Sequence, residues 1–324
     1  MTARGRSSGP GSSGPRVVAL GGGHGLAATL RALRRVSDDV TAVVAVSDDG
    51  GSSGRLRQEF DVVPPGDLRM ALAALCGDDT WGRTWSRVVQ HRFAGTGDLA
   101  GHSLGNLLIT ALWEETGDIV TGLDWVAALL GAHGRVLPVA TVPLQVVAEV
   151  RGLHPEDPSV VERVEGQVEV ATTPGEVVSL HLEPADAPAC PEAVEAIHEA
   201  DAIVLGPGSW FTSVLAPLQV KGIGQAVTEA RGRVVVVLNL AEQPGETDGF
   251  SPQRHLEVLA AQCPGLRVDV VLADPERVSD IPALASAAQH LGGRLVLAPV
   301  ASRDGSARHD ADLLASALGG ALTV

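Results

Sequence analysis

The run RVVALGGGHGLAATLRALRRV (16–36), followed by VTAVVAV (40–46) and SDDGGSSG (47–54), decides the fold. Residues 16–20 read as a strand, because Val, Ala and Leu dominate the run and it stops at glycine. Gly21-Gly22-Gly23-His24-Gly25 is a turn. Leu26, Leu30, Leu33 and Val36 then recur at helical spacing, and residues 40–46 form a second strand. Strand, helix, strand within about 30 residues is a βαβ unit, and its crossover makes the two strands parallel.

The same rhythm returns late in the chain. Strands are expected at 202–205, 234–238, 268–272 and 295–298, with helices at 191–200, 222–231, 251–262, 281–291 and 311–318. The middle is more helical, with expected helices at 67–75, 85–93, 105–115 and 123–130. Residues 138–185 change character: Val146, Val147, Val150, Val168, Val170, Val177 and Val178 alternate with turn residues, as in a small antiparallel insertion. Residues 1–15 are Gly, Ser, Pro and Arg with almost nothing to bury, so a flexible tail is expected there. The expected fold class is α/β: one doubly wound, mostly parallel Rossmann-like domain over 16–324, carrying a small β-rich insertion. The stretch 81–89 is richer in tryptophan than this pattern explains.

Composition narrows the function. The 324 residues carry 24 Lys+Arg against 39 Asp+Glu, a net charge of −15, and only 3% aromatics. Such a chain lacks the basic patch and stacking rings that nucleic acids require, and an anionic membrane would repel it. No apolar stretch approaches the roughly 18 residues of a membrane span. The apolar run after the arginines of the tail is too short for a signal peptide, so a cytoplasmic location is expected. Three cysteines form no CxxC pair, which argues against a disulfide framework and a structural zinc. Lys221 is the only lysine, so an anionic ligand would rely on backbone N–H groups and arginines.

Ligands of open α/β sheets bind outside the carboxyl ends of the strands, and unusual polar loops fall there repeatedly. In the first, Gly21, Gly22, Gly23, His24 and Gly25 let backbone approach a phosphate, with a helix N-terminus behind them. The spacing Gly23-x-Gly25-x-x-Ala28 also fits a dinucleotide fingerprint loosely, and a ligand-free tight turn would use the same residues. In the second, Asp48 and Asp49 could share a Mg²⁺, with Gly50, Ser52 and Ser53 donating to a phosphate; a solvated turn is the alternative. The third, Gly206, Pro207, Gly208, Ser209 and Thr212, lacks the spacing of a nucleophile elbow and reads as a glycine-lined anion pocket with hydroxyl donors. The fourth brings Asn239 and Gln243, amides able to read a base edge or a sugar. His102, Ser103 and Asn106 open a helix that could face the same cleft, and Arg308 near the end could clamp a pyrophosphate.

Taken together, LGGGHGL (20–26), SDDGGSSGRL (47–56), PPGDLR (64–69), GHSLGN (101–106), LGPGS (205–209) with Thr212-Ser213, and QPGETDG (243–249) resemble the YvcK-type gluconeogenesis factor family. That family shares its fold with the 2-phospho-L-lactate transferases of coenzyme F420 synthesis, called CofD-like. The resemblance implies a cytoplasmic regulatory protein that binds UDP-sugars such as UDP-N-acetylglucosamine or UDP-glucose and supports cell-wall precursor supply and cell shape during gluconeogenic growth. It places residues 21–25, 48–53, Asn106, 206–209 and Thr212 around the nucleotide sugar, and matches Arg308 to a C-terminal Arg-His motif. His24 stands where members usually have Thr, and Phe211 where many have Tyr. No cofactor is required on this reading, though Mg²⁺ could accompany the nucleotide, and a regulatory protein partner and a homodimer are expected.

A transferase acting on a nucleotide-diphosphate-linked substrate is the second expectation, with Asp48 and Asp49 holding Mg²⁺ against the leaving pyrophosphate. A nicotinamide-dependent oxidoreductase rests on the glycine spacing alone, with no His/Arg pair to orient a substrate.

Overall fold

The computed structural model describes residues 14–243 and 245–323. All of the expected tail except Gly14 and Pro15 therefore lies outside the described residues. The strands, in chain order, are β1 (Arg16–Gly21), β2 (Asp39–Val44), β3 (Arg135–Pro138), β4 (Gln145–Arg151), β5 (Val161–Glu165), β6 (Glu176–Glu183), β7 (Ala202–Leu205), β8 (Arg233–Val237), β9 (Val270–Ala273) and β10 (Arg294–Leu297). The helices are α1 (Gly23–Leu33), α2 (Gly51–Phe60), α3 (Gly66–Leu75), α4 (Thr80–Gln90), α5 (Leu104–Thr116), α6 (Ile119–Leu130), α7 (Gln167–Thr172), α8 (Pro191–Glu199), α9 (Ala216–Gln219), α10 (Lys221–Glu229), α11 (Pro252–Gln262), α12 (Ile281–His290) and α13 (Ala311–Thr323). A π-helical turn, Trp210–Leu215, leads into α9.

Seven strands form one sheet in the order β10-β9-β8-β7-β1-β2-β3, with every neighbouring pair parallel. Helices cover both faces, so the central strands β7 and β9 are buried along their whole length and read as unbroken apolar runs. The expected doubly wound α/β class is what the chain adopts. Sheet order reverses between β1 and β7, and at such a switch point the loops leaving the two strands diverge and open a crevice.

The insertion is a three-stranded antiparallel sheet, β5-β4-β6, with α7 between β5 and β6. Alternate residues of β5 and β6 are exposed, as one-sided burial requires. Its start needs correction: Pro138 closes β3, the outermost strand of the main sheet, and pairs with Val44 of β2. The helix expected at 85–93 is Thr80–Gln90, because the Asp79 carboxylate accepts the Gly82 N–H at 2.7 Å and caps it five residues earlier. Residues 51–54, expected in the loop after the second strand, are the start of the helix α2, which runs to Phe60. Its buried face consists of Ser52, Ser53, Gly54 and Leu56, so there is no apolar period to see. Likewise α1 begins at Gly23, inside the glycine turn. The three cysteines are unpaired.

Candidate functional site

The crevice is built first by glycine. At Gly25 a Cβ would lie 2.1 Å from the Pro207 carbonyl oxygen, so only glycine lets α1 lie against the loop after β7. Thr29 Oγ1 fastens the same seam by donating to the Gly206 carbonyl at 3.0 Å. At the first helical position, Gly23 has φ +59° and nothing within 4 Å of where a Cβ would point. Helix α2 repeats the arrangement at the next strand end, with Gly51 at φ +48° and equally open space. The N-cap residues, Gly22 and Gly50, offer no side chain to the first-turn N–H groups. Two helix N-termini, with their positive dipole ends, therefore open side by side at the ends of β1 and β2.

Beneath them lies a polar layer that supports the cradle. Ser52, Ser53, Arg69, His102 and Asn106 are all buried. Arg69 Nε donates to Asn106 Oδ1 at 2.9 Å, and Asn106 Nδ2 donates to Ser52 Oγ at 3.1 Å. The Ser103 N–H also reaches Ser52 Oγ, so the serine proton is left for His102 Nδ1, 3.0 Å away. This makes the imidazole a neutral acceptor, consistent with burial and Arg55 pushing its pKa below the ordinary value. Burial likewise lowers the Arg69 pKa, with Arg92 adding to it, while Asp67 and Asp48 pull it back.

Asp67 is the main residue that motif reading missed. It comes from α3, and its carboxylate accepts the Gly23 N–H at the mouth of α1. Burial first, and the neighbouring Asp48 second, push it up to about 7. Asp48 accepts the Gly50 N–H at 3.0 Å, and Gly66 passes so close to it that a Cβ there would meet its Oδ2 at 2.5 Å. Asp49 has other partners: its two oxygens accept the Gln167 and Val168 N–H groups at 2.8 and 3.1 Å, capping α7 of the insertion. The carboxylate facing Asp48 is therefore that of Asp67, not its sequence neighbour. Among the described residues no group of three or more His, Cys, Asp or Glu is arranged to hold a metal ion. A pair such as Asp48 and Asp67 suits Mg²⁺ only if ligand phosphates complete its shell.

Across the switch point the polar groups satisfy one another. Glu246 is buried, and its carboxylate accepts from Ser209 Oγ at 2.5 and 2.6 Å and from the Trp210 and Thr212 N–H groups at 3.1 and 3.0 Å. It thereby caps the π-helical turn. Burial raises its pKa and these hydrogen bonds pull it back. The hydroxyls of Ser209 and Thr212, expected to face an anion, are bonded to each other, and Ser209 also bonds Glu246. Asn239 exchanges two hydrogen bonds with the Gly208 backbone, at 3.0 and 2.8 Å, and Gln243 Oε1 accepts the Trp210 N–H at 3.0 Å. These amides shape the glycine loop. Phe211 lies in the core against Phe250, so the place of the family tyrosine is not on the cleft surface.

Beside this half, an open cavity of about 310 Å³ is lined by Asn239, Glu242, Phe250, His255, Arg277 and Ser279, among others. His255 Nε2 is buried without a partner there. The loop after β10 folds back across the strand ends: Asp274 accepts the Val300 and Ala301 N–H groups at 2.8 and 2.9 Å, and the His309 ring donates to the Leu238 carbonyl. Arg308, next to His309 in the chain, is exposed. The cradle residues at 21–25 and 48–53 come together with Asn106, whereas Arg308 belongs to the opposite side of the rim.

Residues 17–293 match the family described as 2-phospho-L-lactate transferase CofD. A Mycobacterium tuberculosis protein is 52% identical over 307 residues, covering 94% of this chain and 89% of its own length. The gluconeogenesis factor of Listeria innocua is 36% identical over 318 residues, covering 94% of each chain. The crystal structure of a member of the UPF0052 family from Bacillus halodurans superposes with a TM-score of 0.83 at 34% identity, covering 95% of this chain and 99% of that one. With a sheet of this order, these glycine loops and matches along almost its whole length, the chain belongs to the CofD-like family, among its gluconeogenesis factors.

Proposed function

We propose that the protein is a cytoplasmic regulator that binds a nucleotide sugar of the UDP-N-acetylglucosamine or UDP-glucose type and passes its occupancy to a protein partner concerned with cell-wall precursor supply and cell shape. One observation carries the reading: α1 and α2 start at adjacent strand ends on glycines, with no side-chain cap from their N-cap residues. A pyrophosphate spans two such N-termini, and a chain of net charge −15 gains locally the attraction it lacks globally. The cavity at Asn239 and Arg277 offers room for the uridine or sugar end.

Calorimetric titration with UDP-N-acetylglucosamine tests this. Gly50→Asp puts a carboxylate at the α2 N-cap, where φ −88° and ψ 155° suit any residue and the added Cβ meets only the Val168 methyl at 3.3 Å and Asp48 Oδ1 at 3.4 Å. We expect affinity to fall at least about tenfold while stability changes by less than about 1 kcal/mol. Arg308→Ala should weaken binding as well. Absence of saturable binding to every nucleotide sugar would overturn the proposal.

The facing carboxylates of Asp48 and Asp67 favour a second reading, a Mg²⁺-dependent transferase acting on a nucleotide-diphosphate-linked substrate. The metal, held by these two and by phosphate oxygens, would neutralise charge on a departing pyrophosphate. Turnover of UDP- or GDP-linked substrates that is lost in Asp48→Asn would establish it; binding without turnover would favour the regulator.

A further inference from the structure

The cavity at Asn239 and Arg277 holds one acceptor that the fold itself does not use. His255, on α11, is 5% exposed and packs edge to face against Trp210 and Phe250, with ring centroids 4.9 and 5.5 Å away. Its Nδ1 lies 2.9 Å from the Ser251 carbonyl, which can only accept, so Nδ1 carries the proton. Nε2 is therefore a bare lone pair, buried and without a partner among the described residues. Burial keeps the ring neutral by pushing its pKa below the ordinary value. A buried acceptor left unmet is costly until a donor arrives from outside the chain.

The remaining polar groups of the cavity narrow the chemistry of that donor. Asn239 is spent on the Gly208 backbone and on Gln243, and Glu242 accepts the Gly249 N–H at 2.8 Å. Arg277 and Ser279 are exposed and make no side-chain hydrogen bond among the described residues. The cavity thus pairs one fixed acceptor with free donors, beside the ring of Phe250. A ring N–H flanked by a carbonyl has the complementary pattern. Uracil presents it at N3 and guanine at N1, whereas cytosine and adenine carry a lone pair at the matching nitrogen and an amino group beside it.

The cavity also continues the cradle. Asn239 holds Gly208, and a Cβ on Gly208 would lie 3.8 Å from the Gly22 carbonyl oxygen at the start of α1. Two strand spacings, about 10 Å, separate β1 from β8. We propose that the cavity takes the base of the nucleotide and that His255 Nε2 selects an oxo base, uracil or guanine, by accepting its ring N–H. This assignment rests on the nucleotide-sugar reading above and gives that site its base specificity.

Calorimetric titration of the full chain with UDP, GDP, CDP, ADP and inorganic pyrophosphate tests it. UDP, GDP or both should bind at least about tenfold tighter than CDP and ADP, and the pair distinguishes uracil from guanine. 3-Methyl-UDP, which lacks the N–H, should fall to the level of CDP. His255→Asn keeps an amide donor near the Ser251 carbonyl and removes the Nε2 acceptor, so the preference should drop below about threefold. His255→Gln places an amide oxygen near the position of Nε2 and should retain the preference. Pyrophosphate titration reports in each variant whether the cradle is folded. Equal affinity for all four nucleotides beside intact pyrophosphate binding would overturn the base assignment and leave the cradle reading standing. A preference unchanged in His255→Asn would overturn it too. Loss of all binding by the parent chain, pyrophosphate included, would instead overturn the nucleotide-sugar reading itself.

Discussion

The two halves of the strand-end rim treat their backbone donors in opposite ways. On the β7–β9 half, every helix or turn that opens toward the rim is closed by the protein itself: Glu246 caps the π-helical turn, Ser251 caps α11, and Asp274 caps the short turn after β9. On the β1–β2 half, α1 and α2 begin on glycine, and two carboxylates reach in from the side, Asp67 to the Gly23 N–H and Asp48 to the Gly50 N–H. The same fold thus holds a self-satisfied wall and an open one, and the open wall is where the proposed anionic ligand would sit. Side chains maintain the first; bare backbone defines the second.

Three changes put pressure on that contrast. The largest effect belongs to the seam between the halves. Gly25→Val would drive a side chain into the Pro207 carbonyl, with rigid backbone on both sides. A loss of more than about 4 kcal/mol is expected in urea denaturation, with nucleotide-sugar binding lost as well. A variant as stable as the parent would mean that the halves do not meet there.

Glu246→Ala comes next. It strands the Thr212 N–H and strips charge-assisted bonds from the Ser209 hydroxyl and the Trp210 N–H, which keep only Thr212 and Gln243, so we expect about 3 kcal/mol of destabilisation by the same measurement. If denaturation midpoints barely move, the closed half is not held by its own side chains and the distinction collapses.

The smallest of the three has the opposite sign. Asp67 has its pKa raised from 3.8 to about 7, so the folded state holds a proton that the unfolded state releases between those values. Stability from this group is therefore present below about pH 4 and declines as pH rises toward 7. Asp67→Asn keeps an acceptor for the Gly23 N–H without the charge. It should gain on the order of 2 kcal/mol over the parent at pH 8 and match it near pH 4. A flat difference across that range would show that Asp67 carries no unmet charge.

Much of the sheet was legible because its strands are buried on both faces: runs such as Val234–Val237 can only be interior. The glycine turns after β1 and β7 were legible for a related reason, since glycine at a strand end signals close approach of backbone. Helix α2 was hidden because the face it buries is serine and glycine, and β3 because four residues followed by a Val-rich insertion resemble the insertion itself. The roles of Asp67 and Glu246 were beyond reach for another reason. Glu246 acts on a backbone 36 residues away, and Arg69 holds Asn106 across 37. Both carboxylates stood inside motifs, PPGDLR and QPGETDG, yet nothing local distinguishes a carboxylate that caps a distant turn from one in a solvated loop.

Asp49 reaches 118 and 119 residues along the chain to hold the first N–H groups of α7. A carboxylate satisfied in this way is a shared possession. Any cation or phosphate network that draws Asp49 toward Asp48 must release those donors, and any movement of the insertion that frees α7 must return a bare carboxylate to the mouth of α2. On the proposed function, a ligand that recruits Asp49 would couple binding at the cradle to seating of the insertion through one side chain, with the same strength read from either end. The small antiparallel sheet would then be more than an ornament on the domain, because a ligand that recruited Asp49 would unseat α7.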